Sequence, residues 1–477
     1  MRFAVVFLGL LILFARPETA LAHPGNFSSQ VFANSVWSTF GKYNTRIVLL
    51  GTTILGISGG VVGVFMLLRK RSLVGDVVGH ASLPGIAIAF LIMEAAQPGS
   101  GRTLSGLLIG ATASALLGVI ATLLIVNHSR VKEDAALAIV LSIFYGLGIS
   151  LFTVIQSIPS GSSAGLRDFI FGKAALMILA DVKLIAWASL AVLILCCLLF
   201  KEFSLLCFDE EFASALGWPT TVLDLLLMAI VVGVTVVGLQ SVGLILVVAI
   251  LIIPSAAARF WSDDLINMTL ISAGIGGASA FVGVLASSLI PKLATGAIIV
   301  VVGAAFFFVS MLFGLKRGVV YRLWNQHRLR QRVGQHDLLR ATYELIEAKH
   351  LAATVQEMLS QSVEFDELRR RRSWTPHRIR KLLRSAQRND LIWQDSTASY
   401  RLTAQGAELA RRAARNHRMW ELFLIHYADI APAQVDRDAD RIEHILEPDM
   451  IAELEALMNE ESPRVPVSPH QITGSLS

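Results

Sequence analysis

The sequence predicts an all-α polytopic membrane bundle of about eight or nine transmembrane helices, followed by a cytoplasmic winged-helix domain and a further helical segment. Three observations carry that expectation. Hydrophobic residues make up 54% of the 477 residues and charged ones only 16%, far from the composition of a soluble protein. Charge is segregated: residues 1–315 hold 16 of the 41 Lys and Arg and 14 of the 36 Asp and Glu, so the net charge of +5 averages an apolar body and a charged tail that meet near Gly314–Arg317. Finally, apolar runs recur at the length a bilayer demands, about 20 residues.

Those runs lie near residues 47–68, 74–93, 104–126, 134–156, 182–200, 222–238, 242–260, 265–290 and 295–313. Their connections are short, as in a compact bundle. One broken or re-entrant helix could replace the two spans divided at Gly238-Leu239-Gln240-Ser241. Ahead of the spans, Arg2, the apolar stretch Phe3–Phe14 and Ala20-Leu21-Ala22 predict a signal peptide over residues 1–22, cleaved after Ala22. Basic residues at the span ends set the orientation. Arg69-Lys70-Arg71, Arg130 with Lys132, and Lys316, Arg317 and Arg322 all mark the inside, which places the N-terminus outside and the tail in the cytoplasm. Arg167, Lys173 and Lys183 run against the pattern unless the segment 166–181 is an amphipathic helix on the membrane surface. Cys196, Cys197 and Cys207 sit in or beside apolar sequence without metal-site spacing and read as lipid or core residues.

Within the second span, Asp76 and His80 stand four apart in Gly75–Gly85. On a helix that spacing puts a carboxylate and an imidazole on one face. Ionisable groups inside a span are costly and mark function by default, and this oxygen and nitrogen pair suits zinc or manganese. The plain alternative is a pair that hydrogen-bonds neighbouring helices. Further along, Asp209 caps a short helix in which Phe212, Ala215 and Leu216 share a face beside Glu210 and Glu211, and Gly217 ends it. No HExxH or Walker A sequence occurs, and the chain alone is expected to catalyse nothing.

In the tail, Thr375-Pro376 reads as an N-cap and first helical residue. Ile379, Leu382, Leu383 and Ala386 then form an apolar stripe, while His377, Arg378, Arg380, Lys381, Arg384 and Arg388 fill the rest. Two strand-like runs, Leu391–Trp393 and Tyr400–Leu402, precede a helix from about Thr403. Helix, hairpin, helix is the winged-helix order. From Arg369 to Arg418 there are 14 basic and three acidic residues, a footprint for DNA phosphate or for anionic lipid. Polarity then reverses, with 12 acidic and two basic residues between Met419 and Glu461. His417 and Glu421 share one helix face, and Asp436, Asp440, Glu443 and His444 share another, a donor set for manganese, iron(II) or zinc if the faces meet.

Two resemblances sharpen these readings. Arg69–Gly85, Lys132-Glu133-Asp134-Ala135-Ala136 and Gly238-Leu239-Gln240-Ser241-Val242-Gly243 with Pro254 occur in order and closely resemble the zinc/manganese-type ABC permease family over residues 40–315. The resemblance implies that Asp76 and His80 meet a transported divalent metal, zinc, manganese or iron. It also implies that Asp209, Glu210, Glu211, Phe212, Leu216 and Gly217 form the coupling helix that docks on an ABC ATPase subunit. An extracytoplasmic metal-binding protein and a second permease subunit are the further partners implied, and the setting is the bacterial cytoplasmic membrane. The tail, through Leu402–Gly406, Asn416–Glu421 and Asp440–His444, resembles the diphtheria-toxin-repressor family of metal-dependent regulators. That likeness divides the tail into a basic linker (316–334), a winged helix-turn-helix (335–404), a helical metal-binding and dimerisation domain (405–458) and a disordered end (459–477). By position His417, Asp440, Glu443 and His444 match family ligands of a regulatory metal, Glu421 and Asp436 an accessory site, and Asp337 an N-terminal ligand. Three features depart from the pattern. Asp440 stands where Cys or Glu is usual, Arg340 stands where a ligand is expected, and Arg369–Arg372 replace residues that usually form the buried side of a helix.

Overall fold

A computed structural model describes residues 42–97, 103–157, 177–289, 294–349, 355–372, 374–396 and 398–427. The expected signal peptide, most of segment 166–181, Asp436, Asp440, Glu443, His444 and the end of the chain lie outside the described residues. The chain forms two compact units, residues 1–322 and 323–477.

The first unit is a helical bundle of α1 (Tyr43–Leu68), α2 (Val74–Ala96), α3 (Leu104–His128), α4 (Glu133–Gln156), α5 (Leu179–Leu198), α6 (Phe200–Phe208), α7 (Glu210–Ala215), α8 (Thr220–Val242), α9 (Leu244–Ala258), α10 (Leu265–Leu289) and α11 (Thr295–Phe313). Eight of them are long and apolar enough to cross a membrane, while α9, with 15 residues, is shorter. A helix satisfies every backbone donor and acceptor internally, the condition for running through lipid. Helices α1, α2 and α8 are the most buried; α4, α5 and α11 lie at the periphery and turn apolar side chains such as Ile143, Trp187 and Phe308 outward.

Small residues bring the central helices close. A Cβ on Gly56 of α1 would sit 2.5 Å from the Gly276 carbonyl oxygen of α10, and one on Gly85 of α2 would collide with the Gly110 oxygen of α3. Buried hydroxyls add cross-helix bonds, from Ser272 Oγ to the Gly60 carbonyl at 2.7 Å and from Ser114 Oγ to the Ala81 carbonyl at 2.6 Å.

Three boundaries differ from expectation. The break between α8 and α9 falls at Gly243, whose φ of +85° favours glycine. Helix α8 continues through Gly238, where a Cβ would meet Val247 Cγ2 at 2.6 Å, so that glycine serves packing. Beyond the fifth span stands a helix that the sequence reading did not foresee: α6 follows α5 at Leu199, with Phe203 and Leu206 buried. Finally, most of the basic linker is helical, because α12 (Val319–Lys349) runs from Val319 onward.

Helix α12 crosses the division at Arg322 and supplies Leu338, Leu339, Tyr343 and Ile346 to the core of the second unit. That unit continues with α13 (Val355–Ser360), β1 (Val363–Glu364), α14 (Phe365–Arg371), α15 (Pro376–Arg388), β2 (Ile392–Gln394), β3 (Ser399–Leu402) and α16 (Ala404–Tyr427). The two foreseen strands pair antiparallel, Ile392 opposite Leu402, and an unforeseen third strand pairs Val363 with Tyr400, giving the order β1-β3-β2. Thr375 caps α15 by accepting from the Arg378 N–H, with Pro376 in the first turn. Burial pushes the Glu367 carboxyl up, but Lys349 and the Glu364 N–H outweigh it and hold it below the usual carboxylate range.

Candidate functional site

Asp76 lies in the first turn of α2 and His80 one turn further on. Asp76 Oδ1 and His80 Nε2 are 3.4 Å apart, so the i, i+4 spacing does bring the two groups together. The imidazole packs edge-on against Tyr145 of α4, with ring centroids 4.9 Å apart, and its Nδ1 is buried without a hydrogen-bond partner. Pro84, within the same helix, has no N–H to offer the His80 carbonyl. Helix α2 therefore carries a carboxylate, an imidazole with an uncommitted nitrogen and a locally loosened backbone within about three turns. Oxygen and nitrogen donors of this kind suit a borderline divalent cation.

Below α2 stands an ion-pair cluster that sequence reading missed. The loop between α1 and α2 turns at Lys70, whose φ is +59°, a conformation uncommon for residues other than glycine. That turn aims Arg69 and Arg71 at one carboxylate. Arg69 donates to Asp224 Oδ1 at 3.1 Å and Arg71 donates to Asp224 Oδ2. Asp224 is 7% exposed, in the second turn of α8. Arg69 also reaches Glu210 of α7 at 2.9 Å and the Leu206 carbonyl of α6 at 3.1 Å, while Arg71 pairs with Glu133 at the start of α4. The cluster therefore ties α7 to α4, α8 and the root of α2. A lone carboxylate near the start of the apolar run 222–238 was the available sequence signal. Its two arginines were read only as markers of orientation. Asp181 of α5 was also missed; it is buried and accepts from Gln240 Nε2 at 3.2 Å and from the Ile178 N–H at 3.1 Å.

Helix α7 forms as its sequence requires. Asp209 accepts from the Phe212 N–H at 2.8 Å. At the other end, the Trp218 N–H bonds the Ala213 carbonyl and the Gly217 N–H bonds the Ser214 carbonyl, with Gly217 at φ +84°, the double closure of a glycine-terminated helix. Only Ala213 is buried; Glu211, Phe212, Ala215 and Leu216 are exposed, as is Glu210 beside Arg69. The short helix thus presents an apolar face that nothing among the described residues covers.

In the second unit, Ile379, Leu382, Leu383 and Ala386 of α15 point into the core. His377, Arg378, Arg380, Lys381, Arg384 and Arg388 are all exposed on the opposite side. Arg369, Arg370 and Arg371 do not take buried positions: they are exposed at the C-terminal end of α14, where cations complement the helix dipole, and Leu368 and Trp374 fill the core instead. Asp337 is half-buried on α12. His417 and Glu421 of α16 are buried and adjacent, with Nε2 and Oε1 3.0 Å apart, and the other ring nitrogen meets Arg340 of α12. Among the described residues, no three His, Cys, Asp or Glu side chains converge as a metal site would require.

Known proteins resemble this chain. The profile of the iron dependent repressor, metal binding and dimerisation domain matches residues 403–470. The manganese transport system membrane protein MntC of Bacillus subtilis is 37% identical over 404 residues, 85% of this chain and 89% of that protein. An alignment of that length extends past the first unit into the second. The zinc transport system membrane protein TroC of Treponema pallidum is 39% identical over 290 residues, 61% of this chain and 95% of its own length. Among solved structures, PsaBC from Streptococcus pneumoniae in complex with Fab superimposes with a TM-score of 0.52 at 32% identity, covering 60% of this chain and 97% of that one. The profile of the ABC 3 transport family matches residues 42–314, the whole of the bundle that holds Asp76, His80 and the arginine cluster, and the chain belongs to that family as a multi-span membrane permease.

Proposed function

We propose that this chain is the permease of an ABC importer for manganese or zinc in a bacterial cytoplasmic membrane. The observation that carries the reading is the Asp76 and His80 pair on a central, buried helix, with an imidazole nitrogen left without a hydrogen bond. Relatives named as manganese and zinc transport membrane proteins support the cargo. An ion shed of part of its water would exchange it for the carboxylate and the imidazole and then pass on, since two protein donors hold a divalent ion less firmly than a closed site of four.

In this reading the chain carries no ATPase of its own, and the exposed face of α7 docks on a separate ATPase subunit. Closure of that subunit moves α7, and Arg69, Arg71 and Asp224 pass the displacement to the root of α2, a two-state element biased by a distant ligand. An extracytoplasmic binding protein delivers the metal, and a second permease subunit completes the pathway. The basic loops support a cytoplasmic side for α7 and the second unit. Asp76→Ala and His80→Ala each abolish uptake of the cognate metal while leaving the amount of folded protein in the membrane unchanged. Normal uptake by both variants contradicts the site.

The second unit reads as a winged helix whose α15 lies against an anionic polymer, a regulatory attachment to the permease. The exposure of all six basic and imidazole side chains favours DNA phosphate as the contact. Charge reversal at Arg380, Lys381 and Arg384 then weakens duplex DNA binding and its salt dependence. Loss of binding to anionic vesicles, with DNA binding intact, assigns the face to lipid.

A further inference from the structure

We propose that Arg340 is a built-in cation standing where the second unit would otherwise hold a regulatory metal, so that His417 and Glu421 form a metal-independent brace. The family of the matched C-terminal profile is described as metal binding, and His417 was expected as a ligand of the regulatory metal and Glu421 of the accessory site; their expected partners Asp436, Asp440, Glu443 and His444 lie outside the described residues. The surroundings of His417 and Glu421 do not fit that role.

Arg340 is wholly buried at 0% exposure, with His417 at 3% and Glu421 at 2%. A guanidinium remains protonated under all conditions relevant to proteins and only donates. Arg340 Nη1 donates to His417 Nδ1, which must therefore present its lone pair to the arginine. The remaining ring nitrogen then carries the proton and donates to Glu421 Oε1 at 3.0 Å. A metal needs a lone pair on one imidazole nitrogen. One is covered by Arg340 and the other bears a hydrogen.

Charge leads to the same conclusion. Arg340 Nε lies 3.3 Å from Glu344, which also takes Arg371 at 3.0 Å, and Arg418 pairs with Glu347. With Glu421, three arginines and three carboxylates are paired around the imidazole. A divalent ion inserted beside the buried Arg340 guanidinium meets a like charge at close range, a penalty unless the arginine leaves. Where a metal would draw α12 and α16 together through shared ligands, the Arg340 guanidinium already does so. It holds one position at all metal concentrations. Any metal response of the second unit must then use donors other than His417 and Glu421.

The test uses the full chain in detergent, carrying Asp76→Ala and His80→Ala so that the bundle pair does not contribute, with manganese(II) or zinc(II) as the probe in equilibrium dialysis. His417→Gln and Glu421→Gln leave the number of ions bound per chain unchanged. Arg340→Glu, which replaces the cation by a donor and frees His417 Nδ1, gains about one ion per chain, and Arg340→Glu with His417→Gln loses it again. Fewer ions bound by folded His417→Gln or Glu421→Gln chains overturn the proposal, because those side chains are then ligands. A folded Arg340→Glu chain that gains no ion also counts against it. Should Arg340→Glu fail to fold, the comparison of His417→Gln and Glu421→Gln with the parent still decides. Transport is not read in this experiment, so its outcome is separate from that of the proposed import.

Discussion

Asp224→Asn isolates the arginine cluster, and its cost follows from the geometry. The carboxylate receives one guanidinium on each oxygen, and the three side chains are only 9–11% exposed. Each charge-assisted bond contributes about 1.5–3 kcal/mol, so removing the charge forfeits about 3–6 kcal/mol gross. The amide oxygen still accepts one donor, and Glu210 and Glu133 remain to hold Arg69 and Arg71. A net loss of about 2–4 kcal/mol results, at the lower edge of what breaking a buried ion pair costs. At roughly 2 °C per kcal/mol for a body of this size, the purified permease melts about 4–8 °C lower in detergent. Arg71→Gln combined with Asp224→Asn costs less than the two separate losses, by a coupling of about 1–3 kcal/mol. Melting within about 1 °C of the parent, or strict additivity in the double variant, refutes the cluster as a structural link.

Two further predictions concern other parts of the chain. Leu216→Asp combined with Glu210→Lys and Glu211→Lys on α7 removes the exposed apolar contact and the Arg69 partner, so the ATPase subunit no longer co-purifies and transport stops while the helical content of the permease is retained; a variant that keeps its partner at parental yield disproves the docking face. Because Lys349 and the Glu364 N–H hold the Glu367 carboxyl below its usual range, its contribution is present above the unfolded carboxylate value and is lost as pH falls through the lowered one; Glu367→Gln therefore flattens the acid limb of a stability profile of the second unit, and an unchanged limb counts against the Lys349 contact.

Much of this was legible from local pattern. Asp76 and His80 are four residues apart in one helix, and Thr375, Pro376 and the apolar stripe of α15 are contiguous, so spacing alone placed them. Capping of α7 by Asp209 and its closure at Gly217 were equally local. Asp224 escaped because its partners lie 153 and 155 residues away, and a single carboxylate in an apolar run gives no sign of which helix end it faces. Arg340 presented the converse problem. As a letter it marked a lost ligand, and only the fold showed that its guanidinium meets His417 across 77 residues. The break after α8 was placed at Gly238–Ser241, short of Gly243, because the two glycines look alike in sequence, although of the two Gly243 adopts a positive φ while Gly238 is needed for close packing.

ATP-driven accumulation of metal in proteoliposomes that contain this chain, its permease partner and the ATPase subunit tests the central claim most directly. The account predicts that manganese or zinc enters from the binding-protein side only when ATP is supplied on the α7 side, and that Asp76→Ala removes accumulation while the assembled complex still forms. Assembly of the complex with ATP hydrolysed and neither metal accumulated would contradict it.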